Sequence, residues 1–176
     1  MTTLSKKQIL RYLEELSAEL EKQNLKGEIL LFGGAAMVLA FNARTSTKDV
    51  DAIFRPKKEI YAISEKIARK HHLPAGWLND SVKGFITSDS FKQNLFIRHK
   101  NLAVYTPEPQ YLLAMKCMSM RIGLESSDID DIKTLLKYLK IKKTEDVFQL
   151  LEQYYPQNKI PQKTFYAIDE ILKKLI

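Results

Sequence analysis

Two carboxylates and two glycines are the residues of this chain best suited to chemistry. Asp49 and Asp51 stand one residue apart in the run Thr47-Lys48-Asp49-Val50-Asp51-Ala52-Ile53-Phe54, and Gly33 and Gly34 follow the apolar run from Ile29 to Phe32. Side chains alternate faces along a strand, so the two acids point the same way, ~7 Å apart at the Cα. Ile53 continues that face; Val50, Ala52 and Phe54 form the other and suit a core. Like charges held so close resist joint ionisation. A divalent cation removes the conflict. Mg²⁺ is usually held by one or two carboxylates together with substrate phosphates, and a carboxylate pair can organise two metals in line with a phosphoryl transfer. At Gly33 and Gly34 the missing Cβ lets backbone approach a phosphate closely, and a helix that starts there aims its first amides at the anion. Taken singly, a D-x-D pair or a Gly-Gly turn is a common structural feature. Their order and apolar setting together predict a site for a nucleoside triphosphate held on metal.

These residues need a strand, a glycine turn, a short helix, a loop and a second strand to position them. The pattern predicts strands over residues 28–32 and 49–54 with a helix over 35–42 between them. An amphipathic helix over 5–24 precedes them, with Ser5 as N-cap and Ile9, Leu10, Tyr12, Leu13, Leu16 and Leu20 at helical spacing. Pro56 opens a further helix to residue 71, with Ile60, Ile63, Ile67 and Ala68 on its inner side. Residues 73–100 predict a loop with short turns around Trp77 to Asp80 and Lys83 to Ile86, then a strand from Leu95 to Arg98; a second strand runs from Leu102 to Tyr105. From Thr106 onward the pattern is helical, over 107–122, 128–139, 144–154 and 162–175. The expected organisation is an α/β (α+β) lobe over residues 1–105, with a small mixed sheet, followed by an all-helical lobe over 106–176. Trp77, Tyr154 and Tyr155 are read as core residues rather than interface residues.

The helical half carries an unusual lysine. Thr106 is the expected cap of a helix with Pro107 and Pro109 in its first turn, and Tyr111 to Arg121 is apolar nearly all round, with Lys116 in its middle. Lysine is rarely buried without a partner, so Lys116 either reaches the surface along its own stem or lines a polar cleft beside Ser119 and Gly123. In the next helix Ser127 is the expected N-cap, and Asp128 and Asp130 complement the helix dipole. Asp131 lies one turn from Leu135 on the inner face, where it would pair with Lys116 or Arg121, or serve as a base.

Composition bounds the rest. The 176 residues, 45% hydrophobic and 10% aromatic, supply a core for one domain or two small lobes. No apolar run reaches the ~18 residues that would suggest a membrane span, and residues 1–7 do not lead into the apolar segment of a signal peptide. The single cysteine, Cys117, excludes an intramolecular disulfide and suits a reducing cytoplasm. His71, His72, His99 and Cys117 lack zinc-ligand spacing. The net charge of +7 favours a polyanionic partner, nucleic acid or nucleotide, although the lysines are dispersed as on any solvated surface.

Four blocks occur in order: Gly33-Gly34-Ala35-Ala36-Met37, Thr47-Lys48-Asp49-Val50-Asp51, Tyr111-Leu112-Leu113-Ala114-Met115-Lys116 and Asp128-Ile129-Asp130-Asp131. With Trp77-Leu78-Asn79-Asp80 and Tyr154-Tyr155-Pro156 they resemble the nucleotidyltransferase-like proteins of the DUF6036 type. That group is close to the AbiEii toxin family within the DNA polymerase β-like superfamily. The resemblance covers nearly the whole chain. It implies a minimal polymerase-β-like nucleotidyltransferase lobe, a helical lobe, and transfer of a nucleoside monophosphate from an NTP with Mg²⁺. The implied acceptor is tRNA or another macromolecule, and the implied setting is a toxin–antitoxin or phage-defence pair with an antitoxin or other partner protein. By position, Gly33 and Gly34 would hold the triphosphate, Asp49 and Asp51 the metal, Lys116 the phosphates, and Asp131 (or Asp128) would be the acid of the fourth block. The chain departs from the pattern where Ala35 and Ala36 replace a hydroxyl residue after the glycines, and where Ser127 stands in place of Arg or Lys. A third metal carboxylate has no clear place, with Asp80 and Asp89 as candidates. Three readings follow: a nucleotidyltransferase, a catalytically degenerate binding or regulatory protein on the same fold, and a helical interaction module whose charges are structural.

Overall fold

A computed structural model describes residues 3–86, 91–120 and 127–175. The chain divides into two compact units, one of residues 1–84 and 93–107 and one of residues 85–92 and 108–176.

The first unit opens with the two-residue strand β1 (Leu4–Ser5) and helix α1 (Lys6–Lys22), then strand β2 (Gly27–Leu31), helix α2 (Gly33–Leu39), and strands β3 (Ser46–Thr47) and β4 (Val50–Arg55). Helix α3 (Lys57–His71), strand β5 (Leu78–Asn79), a 3₁₀ turn (Ser81–Phe85), and strands β6 (Gln93–Arg98) and β7 (Leu102–Pro107) follow. Ser5 caps α1 through a reciprocal box: its side chain accepts from the Gln8 amide, and the Gln8 side chain accepts from the Ser5 amide at 3.0 Å. The predicted inner residues Ile9, Tyr12, Leu13, Leu16 and Leu20 are buried. Five strands form one mixed sheet in the order β5-β4-β2-β7-β6. Strand β2 runs antiparallel to β4 and parallel to β7, β4 runs parallel to β5, and β6 runs antiparallel to β7 with an irregularity between Leu95 and Ile97. Separately, β1 pairs with β3, matching Leu4 with Thr47.

The alternation read in β4 is present. Val50, Ala52 and Phe54 are buried, while Asp51 and Ile53 on the other face are half-buried. Trp77 is buried, donating its indole N–H to the Ser64 carbonyl at 3.0 Å. Across the outer face of α1 and α3, Glu15 meets Lys70 at 2.6 Å and His71 at 2.7 Å, and Glu19 meets Lys22 at 2.6 Å. The lysines of these pairs are exposed, and exposed ion pairs contribute little stability each.

The second unit is helical: α4 (Pro109–Ser119), α5 (Asp128–Leu139), α6 (Thr144–Tyr154) and α7 (Gln162–Lys173), with α4 touching the other three. Tyr111 of α4 stacks on Phe91 with ring centres 3.9 Å apart and meets Tyr154 edge-on at 5.1 Å. Glu108 accepts from the Tyr154 hydroxyl at 2.9 Å and from the Lys92 amide at 3.1 Å. Tyr155 is buried, and so is Cys117, whose thiol burial pushes up to about 12, leaving it a packing group.

Several sequence expectations change in detail. Helix α2 begins at Gly33 itself, and β6 begins at Gln93, two residues early. Thr106 belongs to β7, so Glu108 occupies the cap position before Pro109 at the start of α4. Ser127 precedes α5 in a helical conformation and makes no capping hydrogen bond. The two-residue strands β1, β3 and β5 are too short to leave a periodic signal.

Candidate functional site

Strand β2 ends at Leu31, and the Phe32 amide donates to the Asp51 carbonyl at 2.8 Å. That bond brings the glycines that open α2 directly beside the acids of β4. Gly33 has φ +53°, a conformation that disfavours any residue with a Cβ. A Cβ built there would lie 2.6 Å from Asp51 Oδ2. The Asp51 carboxylate therefore rests against the glycine turn, in space that only glycine leaves open. Asp49 lies one residue before β4, half-buried, and makes no hydrogen bond or ion pair among the described residues. The donor set is two carboxylates beside a Cβ-free turn, all oxygen, of the kind a hard cation prefers. Among the described residues no group of three or more His, Cys, Asp or Glu side chains converges on a metal position.

The residue beside Asp51 on the neighbouring strand is Asn79, its partner in the parallel β4–β5 register. The sequence reading missed it, because a strand of only Leu78–Asn79 looks like loop. Its side-chain oxygen accepts from the Ser81 amide at 3.0 Å. Of the two carboxylates considered as a third metal ligand, Asp80 is taken up by Lys57 at 2.7 Å, Lys83 at 2.9 Å and the Tyr61 hydroxyl. Hydrogen bonds from Lys57, Tyr61 and Lys83 hold its carboxyl far below the usual carboxylate range. Asp89 lies outside the described residues, as do Arg121 and Gly123.

The remaining sequence candidates lie in the helical unit. Lys116, with its side chain 11% exposed, places its ammonium 2.9 Å from Asp128 Oδ1 and 2.8 Å from Asp131 Oδ2. Asp131 is 1% exposed and faces inward, as its spacing from Leu135 suggested. Asp128, read from sequence as a dipole-complementing acid and as the alternative acid of the fourth block, also reaches the lysine. Ser119 does not share a polar cleft with Lys116; it is exposed, and its hydroxyl donates to the Met115 carbonyl of its own helix at 2.9 Å. An ammonium has three donors, and two point at carboxylates here. The third donor is not taken up by either of these carboxylates.

Residues 7–167 match the model of a family described as "Nucleotidyltransferase of unknown function (DUF6036)". The chain belongs to the DUF6036 family. A solved structure with a similar fold is the crystal structure of an antigenic nucleotidyltransferase-like protein from Paracoccidioides brasiliensis. Its TM-score is 0.50 at 14% identity, over 94% of this chain and 95% of that one. At such identity the likeness concerns the fold alone. No curated protein matches the sequence significantly.

For this DUF6036 member, the glycine turn and β4 account for the first two sequence blocks as one physical neighbourhood. Two further side chains enter it unannounced. A Cβ built on Gly34 would lie 2.2 Å from Thr47 Oγ1 and 3.3 Å from Arg44 Nη1. Thr47 belongs to the second block, whose spacing signal lies in its acids and not in the hydroxyl. Arg44 had no spacing signal. Two-strand pairing of β1 with β3 is what turns this loop back over α2.

Proposed function

We propose that this protein is a Mg²⁺-dependent nucleotidyltransferase that moves a nucleoside monophosphate from an NTP to a hydroxyl of a macromolecular acceptor, tRNA or protein, in the cytoplasm. The observation that carries the reading is the contact of the Asp51 carboxylate with the Cβ-free turn at Gly33. It puts metal-type oxygen ligands against backbone that a polyphosphate can approach. The charge balance agrees. The unit holding these residues has 16 Lys and Arg against 10 Asp and Glu, whereas the helical unit has 12 against 11. The basic surplus that attracts polyanions is thus concentrated around the candidate site's own unit.

Asp49 and Asp51 would hold the magnesium, with phosphate oxygens and water completing its shell. The ion, when bound, neutralises charge on the triphosphate and lowers the cost of the developing negative charge. Strand alternation puts the Asp51 side chain on the face of β4 opposite the buried Val50, Ala52 and Phe54, and Asp49 lies one residue before the strand. The acceptor oxygen forms a bond to the α-phosphorus, the bond from that phosphorus to the α,β-bridging oxygen breaks, and pyrophosphate leaves with the electron pair. The acceptor's proton passes to a carboxylate or to water. Lys116 and Asp131 enter this reading as an ion-paired cluster that orders the helical unit.

A second reading, nucleotide binding without transfer, is favoured by Asn79, a neutral amide where the strand beside Asp51 had room for another carboxylate. Incubation with each labelled NTP, Mg²⁺ and total RNA, beside Asp51→Ala, separates the two. Label entering RNA or protein, and lost in the variant, establishes transfer; NTP binding without transfer supports the second reading. As the toxin half of a toxin–antitoxin pair, the protein is expected to arrest growth when produced alone.

A further inference from the structure

The helical unit leaves two neighbouring aromatic side chains in solvent. Phe165 and Tyr166 of α7 are 46% and 73% exposed. Single exposed apolar side chains need no explanation, but contiguous ones mark an interaction site. Phe148 of α6, half-buried, adds a third ring, its centre 5.1 Å from that of Phe165. These rings do not stack on one another. Phe148 and Phe165 are inclined by 45°, and Phe165 and Tyr166 by 86° at 6.0 Å. They wall an open cavity of about 330 Å³ between α6, α7 and the turn that joins them, with Gln157, Gln162 and Glu152 as its polar lining. That volume lies at the small end of ligand sites and suits a single inserted side chain.

The charged group of this lining is Glu152, which makes no hydrogen bond or ion pair among the described residues. Helix α6 carries Glu145, Asp146 and Glu152 and no Lys or Arg, and Glu145 and Glu152 share the stripe of Phe148. Lys159 and Lys163 are exposed on the joining turn and on α7, and neither lines the cavity. An aromatic ring is negative on its face and attracts a cation placed over it. Three rings and a free carboxylate therefore select a positively charged guest. Nucleic acid also stacks on aromatic rings, but its phosphates would approach Glu145 and Glu152. Of the cationic side chains, arginine matches best. Its guanidinium is planar, so it lies flat on a ring, and forked, so it gives two parallel donors to one carboxylate. The side-chain oxygens of Gln157 and Gln162 can accept further N–H groups. We infer that the α6–α7 cavity binds an arginine side chain of a partner polypeptide, the guanidinium lying against Phe165 and Tyr166 and paired with Glu152. This site belongs to the helical unit alone and does not depend on nucleotidyl transfer.

The test is NMR titration of the full chain with the tripeptide acetyl-glycyl-arginyl-glycine-amide, beside its neutral citrulline counterpart, free arginine and UMP. The arginyl peptide should shift the ring resonances of Phe165 and Tyr166 at millimolar concentration. The citrulline peptide should bind at least ~10-fold more weakly, because the charge-assisted hydrogen bonds to the carboxylate are lost. Glu152→Gln should weaken the arginyl peptide by ~10-fold on the same ground, and Tyr166→Leu by ~3-fold, the scale of one exposed cation–π contact. Tyr166→Phe keeps the ring and should bind as the wild type does. Glu152 and Tyr166 are both exposed, so these variants leave the core intact. Equal binding of the citrulline peptide, or binding that survives Glu152→Gln, overturns the inference, as does no binding of the arginyl peptide by the wild type. Free arginine binding ~10-fold more tightly than the peptide would make the guest a small molecule and overturn the assignment to a polypeptide. Shifts of the same rings by UMP and not by the arginyl peptide overturn it in favour of a nucleotide surface.

Discussion

Two pairs of aspartates meet opposite surroundings in this protein. Asp128 and Asp131 of α5 both lie within 3 Å of one ammonium, at 2.9 and 2.8 Å from Lys116. Asp49 makes no ion pair among the described residues, and Asp51 presents a carboxylate oxygen to the open side of Gly33. The spacing decides this. Residues three apart on a helix share a face, so Asp128 and Asp131 can close on a single cation from the neighbouring helix. Asp51 lies in β4 and Asp49 one residue before it, so the two are not spaced as helix neighbours that close on one cation from an adjacent helix. The first pair is an internal ion cluster; the second is the pair that the proposed function assigns to metal.

The sharpest way to break this contrast is a matched pair of substitutions. Asp51→Asn should lower nucleotidyl transfer by ~10³-fold or more, about 4 kcal/mol of transition-state stabilisation. It keeps the side chain's shape, so the loss of transfer should exceed any loss of stability read from the urea midpoint. Equal transfer rates would end the comparison. Asp131→Asn should do the reverse, costing ~3 kcal/mol in equilibrium unfolding by leaving the Lys116 charge poorly compensated in a buried place. A stability loss below ~1 kcal/mol would show the helical cluster to be an ordinary surface pair.

Gly33→Ala tests the turn that separates the two cases. Its left-handed φ of +53° should cost ~1–2 kcal/mol, and the added methyl should displace the Asp51 carboxylate, so Mg²⁺-dependent NTP binding falls along with stability. A variant that loses stability alone would detach the turn from the site.

The smallest effect concerns Asp80, an acid in the same unit as Asp51 but treated like those of α5. Hydrogen bonds from Lys57, Tyr61 and Lys83 hold its carboxyl far below the usual range. A folded-state pKa below the unfolded value of ~3.9 stabilises the fold fully above that pH and loses the contribution as pH falls toward the folded value. The melting-temperature gap between wild type and Asp80→Asn should therefore be constant above pH ~5 and shrink below pH ~4. A gap that does not close in acid would contradict the assignment.

Much of this was legible in the sequence, for local reasons. The long helices α1 and α3 and the strand β4 announce themselves through periodic apolar residues, and the Ser5 cap through a short-range hydrogen-bond pattern. The alternation in β4 put Asp51 on one face and Val50, Ala52 and Phe54 on the other before any coordinates existed. The inward position of Asp131 followed from its distance to Leu135. The family resemblance rested on four such local blocks in order.

What the sequence could not supply is contact between residues whose separation carries no period. Nothing in it announces that Asn79 stands beside Asp51, because β5 has only two residues and its register is set by pairing with β4. The Asp128 side chain reaches Lys116 only because α4 and α5 pack together. Thr47 and Arg44 converge on Gly34 because β1 and β3 pair over a stretch too short to be periodic. Residue type, spacing and face were determined by the chain alone, since they depend on neighbours within one turn of helix or two steps of strand. Which faces meet was decided by the tertiary structure, since burying those faces against one another is what stabilises the fold.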